Sequence, residues 1–233
     1  MASNSEVTYG AKLNNAKDIV TNLRSFKDYA PPLEEQKPDN LEALTVVARA
    51  ANISVAGSKR VYSDSVDTRQ SLFEKAADSL VKIMSPIARN ISSAYGKESK
   101  ELADVTAYVL KIRGEKRKKE KKEPTEDDVS QSAKSFGSRT ENFSDLIAVL
   151  QKMTKYKPAN KKLATAELTI KLAALEVSNT AVTDAFGVLK QERAKRNNVY
   201  NQMNVLVQGI KDAVIGQYTI NSDEYKLIKG LKV

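Results

Sequence analysis

The sequence contains no cysteine and no histidine. The first absence rules out disulfides and thiolate metal ligands. The second removes the imidazole general base, and with it serine and cysteine protease triads, histidine-bearing zinc enzymes and histidine-ligated haem. Chemistry is left to carboxylates, lysine, tyrosine, serine and threonine. No apolar run reaches the roughly eighteen residues that a membrane-spanning helix needs. The opening Met1 to Gly10 lacks a basic start followed by an apolar core, so it does not read as a signal peptide and a cytoplasmic protein is expected. Glycine-rich phosphate loops are missing as well, because Gly187, Gly209 and Gly216 stand isolated in helical surroundings and no credible strand precedes them.

What is present is helical rhythm. From Leu163 to Gln217 the chain runs without proline, and apolar residues recur in alternating steps of four and three. Leu168, Leu172, Leu175, Asn179, Val182, Phe186 and Leu189 lead to Tyr200, Met203, Val207, Ile210 and Val214, with Arg193 and Arg196 as the polar interruption. Period-two alternation fits nowhere in it, so the spacing predicts one long amphipathic helix. A helix of that length cannot bury its own stripe and must lie along a partner. The same stripe recurs earlier, through Leu41, Thr45, Ala48, Asn52, Val55, Lys59, Tyr62, Val66, Arg69 and Phe73, continuing by Ala76, Leu80 and Ile83 to Ile87.

Sliding the chain against itself until Tyr9 meets Phe136 explains the recurrence. In that one register Asn15 meets Asn142, Asp18 meets Asp145, Leu23 meets Leu150, Tyr29 meets Tyr156, Pro31 meets Pro158 and Arg69 meets Arg196. Past Ile83 and Ile210 a four-residue deletion restores the match, pairing Tyr95 with Tyr218 and Ser99 with Ser222. Seam residues, turn proline and polar punctuation are what a duplicated unit retains on diverging. The expected fold is therefore all-α: an elongated, pseudo-twofold helical bundle of two units, each a short helix, a loop and a long heptad-patterned helix. Residues 1–112 form the first unit, 113–127 a basic linker and 128–233 the second unit, the two packing as one domain. The first unit's short helix opens near Asn15 and ends at Pro31-Pro32. Asp39 caps its long helix, Pro86 kinks or breaks that helix near Ser85, and a further helix spans Ser99 to Ile112. Thr125 to Asp128 reads as the acidic first turn of another helix.

Four features invite a functional reading. Asn52 and Asn179 occupy equivalent seam positions, where a buried asparagine fixes register; a pseudo-twofold axis would bring the two together. Asn52 also matches the glycosylation pattern, as do Asn90 and Asn142, but a seam position has no room for a glycan. Arg69 and Arg196 fall on an otherwise apolar seam and need an acid or carbonyl, and Asp18 and Asp145 are the natural partners. The linker concentrates charge: residues 110–124 hold eight basic and three acidic groups, five of the nine net positive charges. Within it Lys116, Arg117, Lys118, Lys119, Lys121 and Lys122 are candidates for polyanion binding, against which count the interrupting acids and the lack of interleaved aromatics. Inward glutamates able to hold a metal pair in a bundle are absent from the seam.

The second half, from Ser135-Phe-Gly-Ser-Arg139 through Asn142-Phe-Ser-Asp-Leu-Ile147, Tyr156-Lys-Pro158, Arg193 to Asn197, Tyr200 and the tail Ser222 to Gly230, resembles a family of uncharacterised helical bacterial proteins. The resemblance covers roughly the C-terminal hundred residues and implies a long-helix architecture with no assigned activity. Together these features lead to a non-enzymatic structural or assembly protein, without catalytic residue, metal or cofactor. Its expected partners are further copies of itself or another protein, ahead of nucleic acid through the linker, and membrane insertion is not expected.

Overall fold

The computed structural model describes residues 8–114 and 135–233. Within them every regular element is helical: α1 (Tyr9–Ser25), α2 (Pro38–Gln70), α3 (Leu80–Tyr95), α4 (Lys100–Arg113), α5 (Phe136–Gln151), α6 (Thr165–Tyr218) and α7 (Asp223–Ile228). The protein is all-α, and among the described residues no helix is long and apolar enough to cross a membrane. Short 3-10 turns at Glu34–Gln36 and Lys161–Leu163 precede the two long helices.

Local chemistry sets the ends. The hydroxyls of Thr8, Ser99, Ser135 and Ser222 each accept a hydrogen bond from a backbone N–H three residues on, which satisfies an orphan donor of the first turn. The first helix thus starts at Tyr9, ahead of Asn15, and it stops at Ser25, short of Pro31. Pro38 is the first residue of α2, where its missing N–H costs nothing, and Asp39 lies inside the first turn instead of capping it.

Two compact units divide the chain, and they do not follow the chain-order division expected at residues 112 and 128. One comprises Met1–Val61 and Phe186–Val233, the other Tyr62–Ala185. Each draws on both the first and the second half of the chain. The reason lies in the long stripes: each half of a long helix needs an apolar partner, and the other half of the chain supplies it.

In the first unit Ile19, Val20 and Leu23 of α1 and Leu41 and Ala48 of α2 bury against Met203, Val207, Ile210 and Val214 of α6, with Ile228 of α7. In the second unit Leu146, Ile147 and Leu150 of α5 and Leu168 and Leu175 of α6 bury with Leu80, Met84, Ile87 and Ile91 of α3, and with Val105 of α4. Many buried positions of the two cores fall at a constant offset, although Val109, Ile112 and Leu163 have no apolar counterpart in the first unit. As far as Phe73 and Tyr200 they keep the register of Tyr9 with Phe136, and from Leu80 onward they follow that of Leu80 with Met203. The four-residue difference therefore sits at Ala76–Ser79, earlier than the position past Ile83 that sequence matching suggests.

Those four residues are also where the first long helix breaks. A π-helical turn, Ser71–Lys75, ends at Ala76, whose ψ of 153° leaves the helix, and the buried Ser79 hydroxyl donates to the Glu74 carbonyl. The chain restarts at Leu80, whereas α6 runs unbroken over 54 residues. Pro86 does not break the helix. It sits inside α3 on the exposed side, so the lost hydrogen bond opens toward water. Two further seam expectations change. Phe186 is 49% exposed and Ala185 is buried in its place, and Lys59 is exposed. The seam passes from Val182 to Ala185 to Leu189, a three-then-four step that turns Phe186 outward.

Candidate functional site

Among the described residues the seam arginines Arg69 and Arg196 meet no carboxylate. Arg196 lies over the ring of Tyr9, 3.8 Å from its centroid, and Arg69 over the ring of Phe136 at 4.1 Å. Each of those rings meets a second one edge-on, Tyr9 against Tyr200 at 4.7 Å and Phe136 against Phe73 at 4.8 Å. A second cation closes each stack, Lys12 at 5.9 Å from Tyr200 and Arg139 at 6.0 Å from Phe73. All four pairs of equivalents fall in the register that matches Tyr9 with Phe136. The electron-rich ring faces take the role expected of Asp18 and Asp145. Those two aspartates point to solvent, on exposed positions of α1 and α5.

The seam asparagines are engaged within their own units. Asn52 donates to the Tyr200 hydroxyl at 2.8 Å and Asn179 to the Thr140 hydroxyl at 3.1 Å. Tyr200 in turn donates to the Tyr9 carbonyl, and burial pushes its phenol above the ordinary tyrosine value while the Asn52 bond pulls it back. Asn52 Oδ1, Asn179 Oδ1, Arg69 Nε and Arg196 Nε are buried without a hydrogen-bond partner among the described residues. The two clusters fix the crossing of the helices in each unit. Lys116, Arg117, Lys118, Lys119, Lys121 and Lys122, the rest of the linker beyond Gly114 and the acidic turn at Thr125 to Asp128 lie outside the described residues.

One groove departs from the internal match. Gln36, only 8% exposed, packs against Gly209 where the other repeat has Leu163 and Pro86, and its Oε1 has no partner among the described residues. It floors an open groove of about 630 Å³ between Leu33, Leu44, Val205 and Leu206, rimmed by Asn40 and Gln202. No cation lines it.

An exposed apolar surface that neither core uses runs along each of the long helices. On α2, Ala43, Val47, Ala50, Ser54 and Gly57 follow steps of four and three, with Val46 and Ile53 beside them, and every one is exposed. Val46 reaches 63% and Ile53 67%, and an added Cβ on Gly57 would meet nothing within 4 Å. On α6 the matching positions are Ile170, Ala174, Val177, Ala181 and Asp184, with Ala173 and Thr180 beside them, again all exposed. Ile170 reaches 64% and Val177 69%. Sequence reading passed over both stripes because alanine, serine and glycine hide the rhythm. The signal that reveals them is the seam's own spacing repeated two residues later, Leu41 to Ala43 and Leu168 to Ile170.

No protein-family model, curated protein or solved structure matches this chain.

Proposed function

We propose that this protein is a non-enzymatic helical scaffold, built from a duplicated helical unit, that associates with further copies of itself. The duplication is supported by coincident boundaries. The starts of α1 and α5, the two 3-10 turns and the starts of α2 and α6 share the register of Tyr9 with Phe136, and the ends of α3 and α6 share that of Leu80 with Met203. It is supported also by the matched cation and ring stacks. The observation that carries the functional reading is the second apolar stripe on each long helix. A helix that has already buried one stripe in its own unit and bears another at heptad spacing is suited to pack against a further helix. Sedimentation velocity from about 1 µM to about 1 mM, the range in which weak specific contacts operate, tests it. Mass should rise with concentration and persist at moderate salt, since the stripes are apolar; a chain that stays monomeric throughout would overturn the reading.

A further inference from the structure

We propose that self-association, on which this inference rests, is heterologous: the α2 stripe of one copy docks in parallel and in register on the α6 stripe of the next. The stripes are not copies of each other but complements. At matched positions a branched side chain in one faces a small one in the other: Ala43 with Ile170, Val46 with Ala173, Val47 with Ala174, and Ala50 with Val177. In a parallel pair each layer brings together equivalent heptad positions, so mixed pairing gives layers of nearly constant volume from Ala43 with Ile170 through Ala50 with Val177, before the smaller layer of Ser54 with Ala181.

Like-with-like pairing does not. Two α2 stripes would set one layer of paired valines, at Val47, between layers of paired alanines at Ala43 and Ala50, and would end on paired serines at Ser54 and glycine against glycine at Gly57. Two α6 stripes would set Asp184 against Asp184. In the mixed pair Asp184 meets the open space above Gly57 at the end of the stripe.

Charge favours the same choice. The α2 stripe is flanked by Arg49, and the acids at its start, Asp39 and Glu42, share Arg24 at 2.7 and 2.6 Å. At the position equivalent to Arg49, α6 carries Glu176. Arg49, Glu176 and Asp184 form no ion pair among the described residues. The two faces thus differ in sign, which favours mixed encounter over self-encounter.

Fifteen residues at 1.5 Å rise make each stripe about 21 Å long and about 10 Å wide. That footprint, of the order of 200 Å² per partner, falls well below the roughly 800 Å² of a tight complex. A single contact is therefore weak. Because each copy offers both faces, contacts propagate into open chains or closed rings.

Val47→Glu spoils the α2 face and Ala174→Glu the α6 face, and both side chains are exposed, so the circular dichroism and melting temperature of the fold should be retained. Each variant alone should be monomeric at concentrations where the parent assembles. Mixed one to one, they should form a dimer and nothing larger, because one intact α2 face and one intact α6 face remain between them. If only one variant loses assembly, pairing is like-with-like, and if neither does, or the mixture stays monomeric, the stripes are not the joint. In each of these cases the heterologous assignment falls while the scaffold reading stands. Only a monomeric parent protein removes both.

Discussion

Arg196 over Tyr9 and Arg69 over Phe136 are each a charge held by a ring face, and the distinction from an ion pair is measurable. A cation over an aromatic ring contributes about 0.5 to 2 kcal/mol depending on desolvation, whereas breaking a buried ion pair costs about 3 to 5 kcal/mol. Arg196→Met keeps the apolar stem and removes the charge. Urea denaturation should show a loss at the lower figure, and a loss above about 3 kcal/mol would mean that a carboxylate is involved after all. The sequence marked both arginines as special because they break an apolar seam at matched positions. It could not name the partner, since Tyr9 and Phe136 lie far away in the chain and read there as ordinary helix openers. The phenols of Tyr29 and Tyr156 make a second test. Each donates to a carbonyl seven residues on, at Gln36 and Leu163, and burial pushes both up to about 12. A raised folded value means that the native state keeps a proton the unfolded chain loses above about pH 10. The stabilisation is complete below that pH and is lost as pH rises through 12. Lys211, lowered by its burial, works oppositely, since its penalty is relieved as pH rises toward 10.5. The Tyr29→Phe, Tyr156→Phe double variant should therefore show a shallower fall of stability between pH 10 and 12. An unchanged slope would assign the alkaline loss elsewhere.

At the scale of elements, the helix breaks at Ala76–Ser79 while α6 continues, and this was the feature least legible in the sequence. A shift of four residues along a helix returns to nearly the same face. Leu80, Ile83 and Ile87 therefore meet apolar residues of α6 whether or not those four residues are skipped. Only burial decides, and Leu80, Met84, Ile87 and Ile91 are fully buried like Met203, Val207, Ile210 and Val214. Proline drew the expected break to Ser85 because the rule against interior proline holds for a buried, fully bonded turn, and Pro86 faces water. If the extra four residues are looped out of an otherwise common helix, deleting 76–79 should leave a protein of similar helix content with one continuous segment from Pro38 to Tyr95. The cost should be small, because the lost contacts are the Ser79 side-chain hydrogen bond, the 3.6 Å pairing of Asp78 with Lys171, and backbone bonds of Ala76 and Ser79 that a continuous helix replaces. Failure to fold would show that the break itself is needed.

On the scale of the molecule, the helical class was legible, because long heptad patterns are the strongest local signal a sequence carries. The exchange of halves between the compact units was not, because heptad spacing says that a stripe needs a partner without saying which. That exchange governs timing. The unit at residues 62–185 is continuous in the chain and has all its parts once Ala185 has emerged. The other has its front part, through Val61, made early and must hold it until 186–233 follow. At roughly 5 to 20 residues per second the wait before its last strip of core arrives is about 10 to 35 s. During it, Ile19, Leu23 and Leu41 have no α6 to cover them. Synthesis itself thus imposes an order, the middle of the chain maturing while its beginning remains unfinished.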